Sequence, residues 1–163
     1  MSINTSKVKV LFVCLGNICR SPSAEAVMNR LVSELDLSNH ILCDSAGTIS
    51  THSGEKADAR MRTHAKKRGY DLTSLSRQIR ASDFEYFDYI VTMDADNIKY
   101  MRPFMPKGNY DRKIKLMTDF CANPNPGFVP DPYYGGAEGF EQVLDILEDG
   151  CQGLIRVIER EVR

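Results

Sequence analysis

Apolar residues along this chain recur in two rhythms, one suited to strands and one to helices. Lys7-Val8-Lys9-Val10-Leu11-Phe12-Val13 is a mostly apolar run that stops at a glycine-bearing loop, the pattern of a buried parallel strand. Beyond the loop, Ser21-Pro22 offers a capping hydroxyl and a first-turn proline. Ala24, Val27, Met28, Leu31, Val32 and Leu35 then recur at helical spacing. Ile41-Leu42-Cys43-Asp44 reads as a short second strand, and helical patterning resumes over Ala57–Arg68 until Gly69 stops it. Phe87–Met93 reads as the third strand, Asp94–Met101 as a short helix ending before Pro103, and Ile114–Met117 as the fourth strand. Asn123–Gly139 holds four of the seven prolines and four glycines, so it reads as a loop. Phe140, Val143, Leu144, Leu147, Cys151, Leu154, Ile155 and Ile158 mark one apolar face of a long terminal helix.

Strands alternating with helices predict βαβ units and a parallel sheet, an α/β fold. A chain of 163 residues is about one domain long, and the sequence shows no repeat and no linker, so 1–163 reads as a single domain. Ligands of such sheets sit beyond the carboxyl ends of the strands, near the switch point in strand order. Both the loop after the first strand and the proline-rich loop after the fourth fall at that edge.

Charge and composition narrow the function. A net charge of −1 gives no basic field for nucleic acid. No apolar run approaches the roughly 20 residues that span a bilayer. The start, Met1-Ser2-Ile3-Asn4-Thr5-Ser6-Lys7, lacks the order of a signal peptide, so a cytoplasmic protein is expected. The five cysteines (14, 19, 43, 121, 151) form no CxxC pair, and with no signal peptide their odd number points to free thiols. The three histidines lie far apart, so no metal and no cofactor is expected.

The informative segment is Val13-Cys14-Leu15-Gly16-Asn17-Ile18-Cys19-Arg20-Ser21-Pro22. It places a cysteine directly after a strand, then five loop residues, an arginine and a helix start. The inward N–H groups of such a loop, together with a helix N-terminus, make a nest for a phosphate dianion. The same dipoles favour thiolate over thiol at Cys14. The planar fork of Arg20 suits two phosphate oxygens, and Ser21 is placed to give a hydrogen bond to the sulfur. A lone C-x5-R arises by chance in many proteins, and a buried cysteine is usually a small hydrophobe; the strand before and the helix start after it favour chemistry. A phosphocysteine mechanism also needs a proton donor for the leaving oxygen. Asp131-Pro132-Tyr133-Tyr134 supplies a carboxyl group at the same sheet edge, with Pro132 restricting the backbone of Asp131. Taken alone, an Asp-Pro in a loop is ordinary turn chemistry.

The whole pattern resembles the low-molecular-weight protein-tyrosine-phosphatase family. The resemblance is carried in order by Val13–Ala26, Asp44-Ser45-Ala46-Gly47-Thr48, Arg77-Gln78, Phe87–Asp94 and Asp131–Tyr134. It implies a four-stranded parallel sheet with helices on both faces, flavodoxin-like in type. It implies hydrolysis of phosphotyrosine and small aryl phosphate monoesters, with Cys14 as nucleophile, Arg20 as phosphate clamp and Asp131 as general acid. Leu15, Gly16, Asn17, Ile18, Cys19 and Ser21 would line the phosphate site, and Asn17, Ser21 and Ser45 would share a hydrogen-bond network that shapes it. By the same resemblance Cys19 would form a reversible disulfide with Cys14, Tyr133 would be an aromatic wall, and Tyr134 would lie beside it. The implied partners are phosphotyrosine-containing proteins, with no nucleic acid and no membrane, and the chain would be a monomer or weak dimer.

Two departures from the family pattern stand out. Thr51 occupies a place that many members give to a bulky aromatic, which predicts a thin wall of the substrate cleft, with Ile49 and Val129 nearby to compensate. Ser74 stands where some members carry a histidine. Arsenate reductases of the same fold relay a disulfide through further cysteines after the third strand, and Thr92–Ile98 contains none. A phosphocarrier would need neither Arg20 nor Asp131, and a binding module without activity would need no intact set of the three.

Overall fold

The computed structural model describes residues 7–162, so the segment 1–6, in which the sequence shows no signal-peptide order, lies outside the described residues. Four strands, β1 (Val8–Cys14), β2 (Ile41–Gly47), β3 (Tyr89–Thr92) and β4 (Ile114–Leu116), form a sheet in the order β2-β1-β3-β4. All three pairings are parallel. The order reverses at β1, with β2 on one side and β3 on the other, so the loop after β1 opens at the switch point.

Side chains of β1 alternate between two cores, as a strand buried on both faces requires. Val10, Phe12 and Cys14 face the core built with α1 (Arg20–Glu34), α2 (Ala59–Lys67) and α5 (Ala137–Val162). Leu11 and Val13 face a second core with Ile79, Phe84, Phe87 and Met101, closed by α3 (Ala81–Tyr86) and α4 (Ala95–Met101). Every residue of the apolar stripe expected in the terminal helix is buried. Each large apolar side chain so covered contributes on the order of 1.5–3 kcal/mol.

Boundaries differ from the sequence reading for local reasons. The second strand runs on to Gly47, because Asp44 and Ser45 find side-chain partners in Arg77 and Glu25 and so tolerate the sheet. The third strand starts at Tyr89 because Phe87 closes α3, an element the sequence pattern did not reveal. The terminal helix begins at Ala137, three residues inside the stretch read as loop. Helix α1 begins at Arg20 with Cys19 as its N-cap and no side-chain cap, so Ser21 does not serve as the capping hydroxyl.

Candidate active site

The loop from Cys14 to Arg20 is shaped from outside by its carbonyl groups. Thr48 N–H donates to the carbonyls of Cys14 (3.0 Å) and Leu15 (2.8 Å), and Ile49 N–H also donates to Leu15 (3.1 Å). Ser76 Oγ donates to the Gly16 carbonyl at 2.9 Å, Asp58 N–H to Ile18 at 2.8 Å and Ser23 Oγ to Cys19 at 2.6 Å. In a trans peptide the N–H points opposite to the C=O. Carbonyls anchored outward therefore turn the following N–H groups inward, which is the anion nest the sequence pattern called for. Gly47 is what lets the loop lie this close to β2: a Cβ there would come within 2.9 Å of the Gly16 and Leu15 backbone.

Cys14 ends β1, almost fully buried, with its Sγ 3.0 Å from Ser21 Oγ. Asn17 takes a left-handed backbone (φ 57°), donates its Nδ2 to Ser21 Oγ at 2.8 Å and accepts the Arg77 N–H at 3.1 Å. Arg77 is itself locked between Asp83 and Asp44, and its carbonyl accepts the Gly47 N–H. This explains why the Arg77-Gln78 pair belongs to the pattern: it fixes Asn17 and Gly47 together. Ser45 stands apart from this network. Its hydroxyl donates to Glu25 at 2.5 Å, and Ser74 also bonds Glu25. Burial nonetheless raises the Glu25 carboxyl above its ordinary value, with those hydroxyls opposing.

The Arg20 guanidinium is buried, with Nη1 donating to Asp94 Oδ2 (2.5 Å) and to the Val129 carbonyl (3.0 Å). Nη2 lies 3.6 Å from Asp131 Oδ2. Burial works against its charge, but Cys14, Asp94 and Asp131 outweigh that and hold it above its usual value. Sequence reasoning missed Asp94 as a partner of Arg20. Its capping of α4 through the Asn97 N–H (2.9 Å) is legible locally, but the second oxygen's reach to Arg20 spans 74 positions. Val129 contributes a carbonyl to Arg20 rather than a cleft wall.

These groups open into a cavity of about 320 Å³ lined by the loop residues Cys14–Gly16 and Ile18–Arg20, by Ile49, Thr51 and His52, and by Asp131, Tyr133 and Tyr134. Of the expected site residues, Cys14, Leu15, Gly16, Ile18, Cys19, Arg20, Asp131, Tyr133 and Tyr134 meet here. Asn17 and Ser21 lie just behind, buried, and Ser45 is bonded elsewhere. The side expected to be thin at Thr51 is flanked by Ile49 and by His52, whose ring is 6.3 Å from Tyr133. Tyr134 is 92% exposed and forms an outer lip. Burial, with the nearby charges of Asp58, Cys14 and Asp131, pushes the Cys19 thiol up, so Cys19 stays protonated beside Cys14. Among the described residues no group of three or more His, Cys, Asp or Glu side chains is arranged to hold a metal ion.

Residues 9–163 match the model of the family described as low molecular weight phosphotyrosine protein phosphatase. A protein tyrosine phosphatase from Entamoeba histolytica, solved with Hepes in its active site, is 51% identical with a TM-score of 0.91, covering 97% of this chain and 100% of its own. YfkJ from Bacillus subtilis is 37% identical with a TM-score of 0.90, covering 98% of this chain and 99% of its own. Low molecular weight phosphotyrosine protein phosphatase 1 of Drosophila melanogaster is 42% identical over 149 residues, 91% of this chain and 95% of its own. The chain belongs to the low molecular weight phosphotyrosine protein phosphatase family.

Proposed function

We propose that this protein hydrolyses phosphotyrosine and small aryl phosphate monoesters through a phosphocysteine intermediate, with Cys14, Arg20 and Asp131 as its catalytic residues. The observation that carries this reading is the convergence of the Cys14 sulfur, the buried Arg20 fork and the Asp131 carboxyl on one cavity. The phosphate dianion sits in the N–H nest and Arg20 grips two of its oxygens. The Cys14 thiolate forms the S–P bond as the P–O bond to the phenol breaks, and Asp131 gives its proton to the departing oxygen. In the second half Asp131, now a carboxylate, takes a proton from water as the water oxygen attacks phosphorus. The S–P bond breaks, and the Ser21 hydroxyl donates to the thiolate that leaves.

Cys19 is not a rival nucleophile, because its thiol is pushed up by burial and neighbouring negative charge. Ile49, His52 and Tyr133 give the substrate ring apolar and aromatic walls, and the open lip at Tyr134 leaves room for a protein chain. The natural substrates are therefore phosphotyrosine-bearing proteins, met in the cytoplasm by a monomer or weak dimer. No helix of the described residues is long and apolar enough to cross a membrane.

The test is phosphate release from phosphotyrosine peptides by the parent protein and by Cys14→Ser and Asp131→Ala. Cys14→Ser is expected to fold and to be inactive. Positioned general acids contribute roughly 10²–10⁴-fold, so Asp131→Ala should lose a factor of that order on phosphotyrosine and much less on p-nitrophenyl phosphate, whose leaving group needs little protonation. Turnover by Cys14→Ser near the parent rate, or an equal loss on both esters for Asp131→Ala, would overturn the respective assignment.

A further inference from the structure

A path of contacts runs from the phosphate loop to the candidate acid through a residue that touches neither phosphate nor sulfur. It begins where the Asp58 N–H donates to the Ile18 carbonyl at 2.8 Å, tying the start of α2 to the phosphate loop. Asp58 is the N-cap of α2 and accepts the N–H groups of Arg60 (2.9 Å) and Met61 (3.2 Å). The same carboxylate holds the Arg60 guanidinium, at 3.2 Å from Nε and 3.0 Å from Nη2. From that hold Arg60 Nη2 donates to the Tyr133 carbonyl at 2.9 Å, 73 positions away in sequence. Its guanidinium carbon lies 5.5 Å from the centre of the Tyr133 ring and 5.0 Å from that of Phe140. The Tyr133 N–H in turn donates to Asp131 Oδ1 at 3.1 Å.

We propose that Arg60 is a positioning residue for the acid loop, one that aims Asp131 and the Tyr133 ring at a leaving group held in the phosphate loop. The proposal rests on the reading of Asp131 as general acid. The ordinary alternative is a surface arginine that decorates a helix cap. An exposed ion pair such as Asp58–Arg60 contributes little to stability by itself, and that alternative gives no reason for the fork to point at a backbone carbonyl of another loop. The loop's two flanks also differ. Upstream of Asp131, Val129 is buried, bonded to Met93 and gripped by Arg20. Downstream, Pro132 is buried with its carbonyl accepting the Gly135 N–H, Tyr133 packs against the main core, and Tyr134 is almost wholly exposed. To that apolar packing Arg60 adds a polar tie, from the Tyr133 carbonyl to α2 and, through Asp58, to the phosphate loop. A lysine would be a poor substitute, because a point charge cannot bond Asp58, a carbonyl and two ring faces with one planar group.

The experiment measures single-turnover phosphorylation of the enzyme by a phosphotyrosine peptide and by p-nitrophenyl phosphate. It compares the parent, Arg60→Ala, Arg60→Lys, Asp131→Ala and the Arg60→Ala/Asp131→Ala double variant. Loosening a positioned group by about an ångström costs up to roughly 10²-fold, and a lost surface contact costs less; Arg60→Ala should therefore slow the peptide reaction about tenfold and the activated ester at most about threefold. Arg60→Lys should recover only part of that loss. In the Asp131→Ala background Arg60→Ala should cost much less than it does in the parent, because the acid it aims is gone and only the Tyr133 ring remains to be misplaced. Alkylation of Cys14 by iodoacetate should proceed at the parent rate, a readout that general damage to the site would move. Equal slowing on both esters, or a full additional loss in the Asp131→Ala background, overturns the role of Arg60 alone. A missing leaving-group response in Asp131→Ala itself would overturn the acid assignment and the role of Arg60 with it.

Discussion

Ser21→Ala separates the two halves of the proposed reaction. Ser21 is fully buried, and its Oγ stands between Cys14 Sγ at 3.0 Å and Asn17 Nδ2 at 2.8 Å. With Asn17 donating to that oxygen, the Ser21 proton can go to the Ala46 carbonyl at 3.4 Å or to the sulfur at 3.0 Å, and a charged sulfur is the stronger acceptor. A hydrogen bond to a charged partner contributes about 1.5–3 kcal/mol. A loss of about 2 kcal/mol where thiolate is expelled slows that step roughly 30-fold. Formation of the phosphocysteine should respond differently, because an unsupported thiolate is a higher-energy, more nucleophilic ground state. Asn17 also loses its acceptor, which costs about 1–3 kcal/mol of stability but bears on both steps alike. Stopped-flow release of p-nitrophenol should therefore show a burst close to one equivalent, followed by slow turnover, and acid quench should trap the phosphoenzyme. Thermal melting of the same variant gives the stability loss separately. No burst, with formation and breakdown slowed equally, would mean that Ser21 supports the loop through Asn17 and does not serve the sulfur.

Two further outcomes concern the scaffold. The Glu25 carboxyl is raised by burial in the folded state, so the native protein holds that proton above the pH at which the unfolded chain loses it. The raised group therefore favours the fold below the unfolded pKa and loses that contribution as pH rises through the folded one. Glu25→Gln should melt progressively higher relative to the parent between pH 4 and pH 7, while a difference that stays flat across this range would show that the carboxyl is not raised. In α5, a Cβ at Gly153 would fall onto the carbonyl oxygen of Phe120, a backbone atom that cannot swing aside. Overpacking of about 1–3 kcal/mol should exceed the helix-propensity gain of about 1 kcal/mol. Gly153→Ala should thus lower the melting temperature by a few degrees, and a rise would show that the contact relaxes freely.

Much of the fold was legible because its strands and helices advertise themselves by periodicity. β1 and the terminal helix carry long apolar patterns, and the structure places them at the sheet centre and against it. The strand end at Gly47 was not legible: Asp44 and Ser45 look like loop residues until Arg77 and Glu25 arrive from distant sequence to partner them. Helix α3 was missed for a related reason. It has only six residues and little apolar repeat, and the Asp83 carboxylate that ties it to the Arg80 and Arg77 segment is a tertiary device.

The site divides along the same line. Cys14, Arg20 and Ser21 lie within eight residues, so their spacing could be read directly; the partners that make them effective are scattered. Asp94 reaches Arg20 from the start of α4, Asn17 is pinned by the Arg77 N–H, and the loop's carbonyls are drawn outward by Thr48, Ile49, Asp58 and Ser76. A short motif can specify which atoms do chemistry because those atoms share one loop. It cannot specify which way the loop's peptides face, since that is decided by donors from the β2 end, the segment before β3 and the α2 cap. Gly47 shows how strict that outside control is. It stands 33 residues beyond Cys14, beside it in the sheet register, and any side chain there would push the Leu15–Gly16 peptide inward, into the space a phosphate needs.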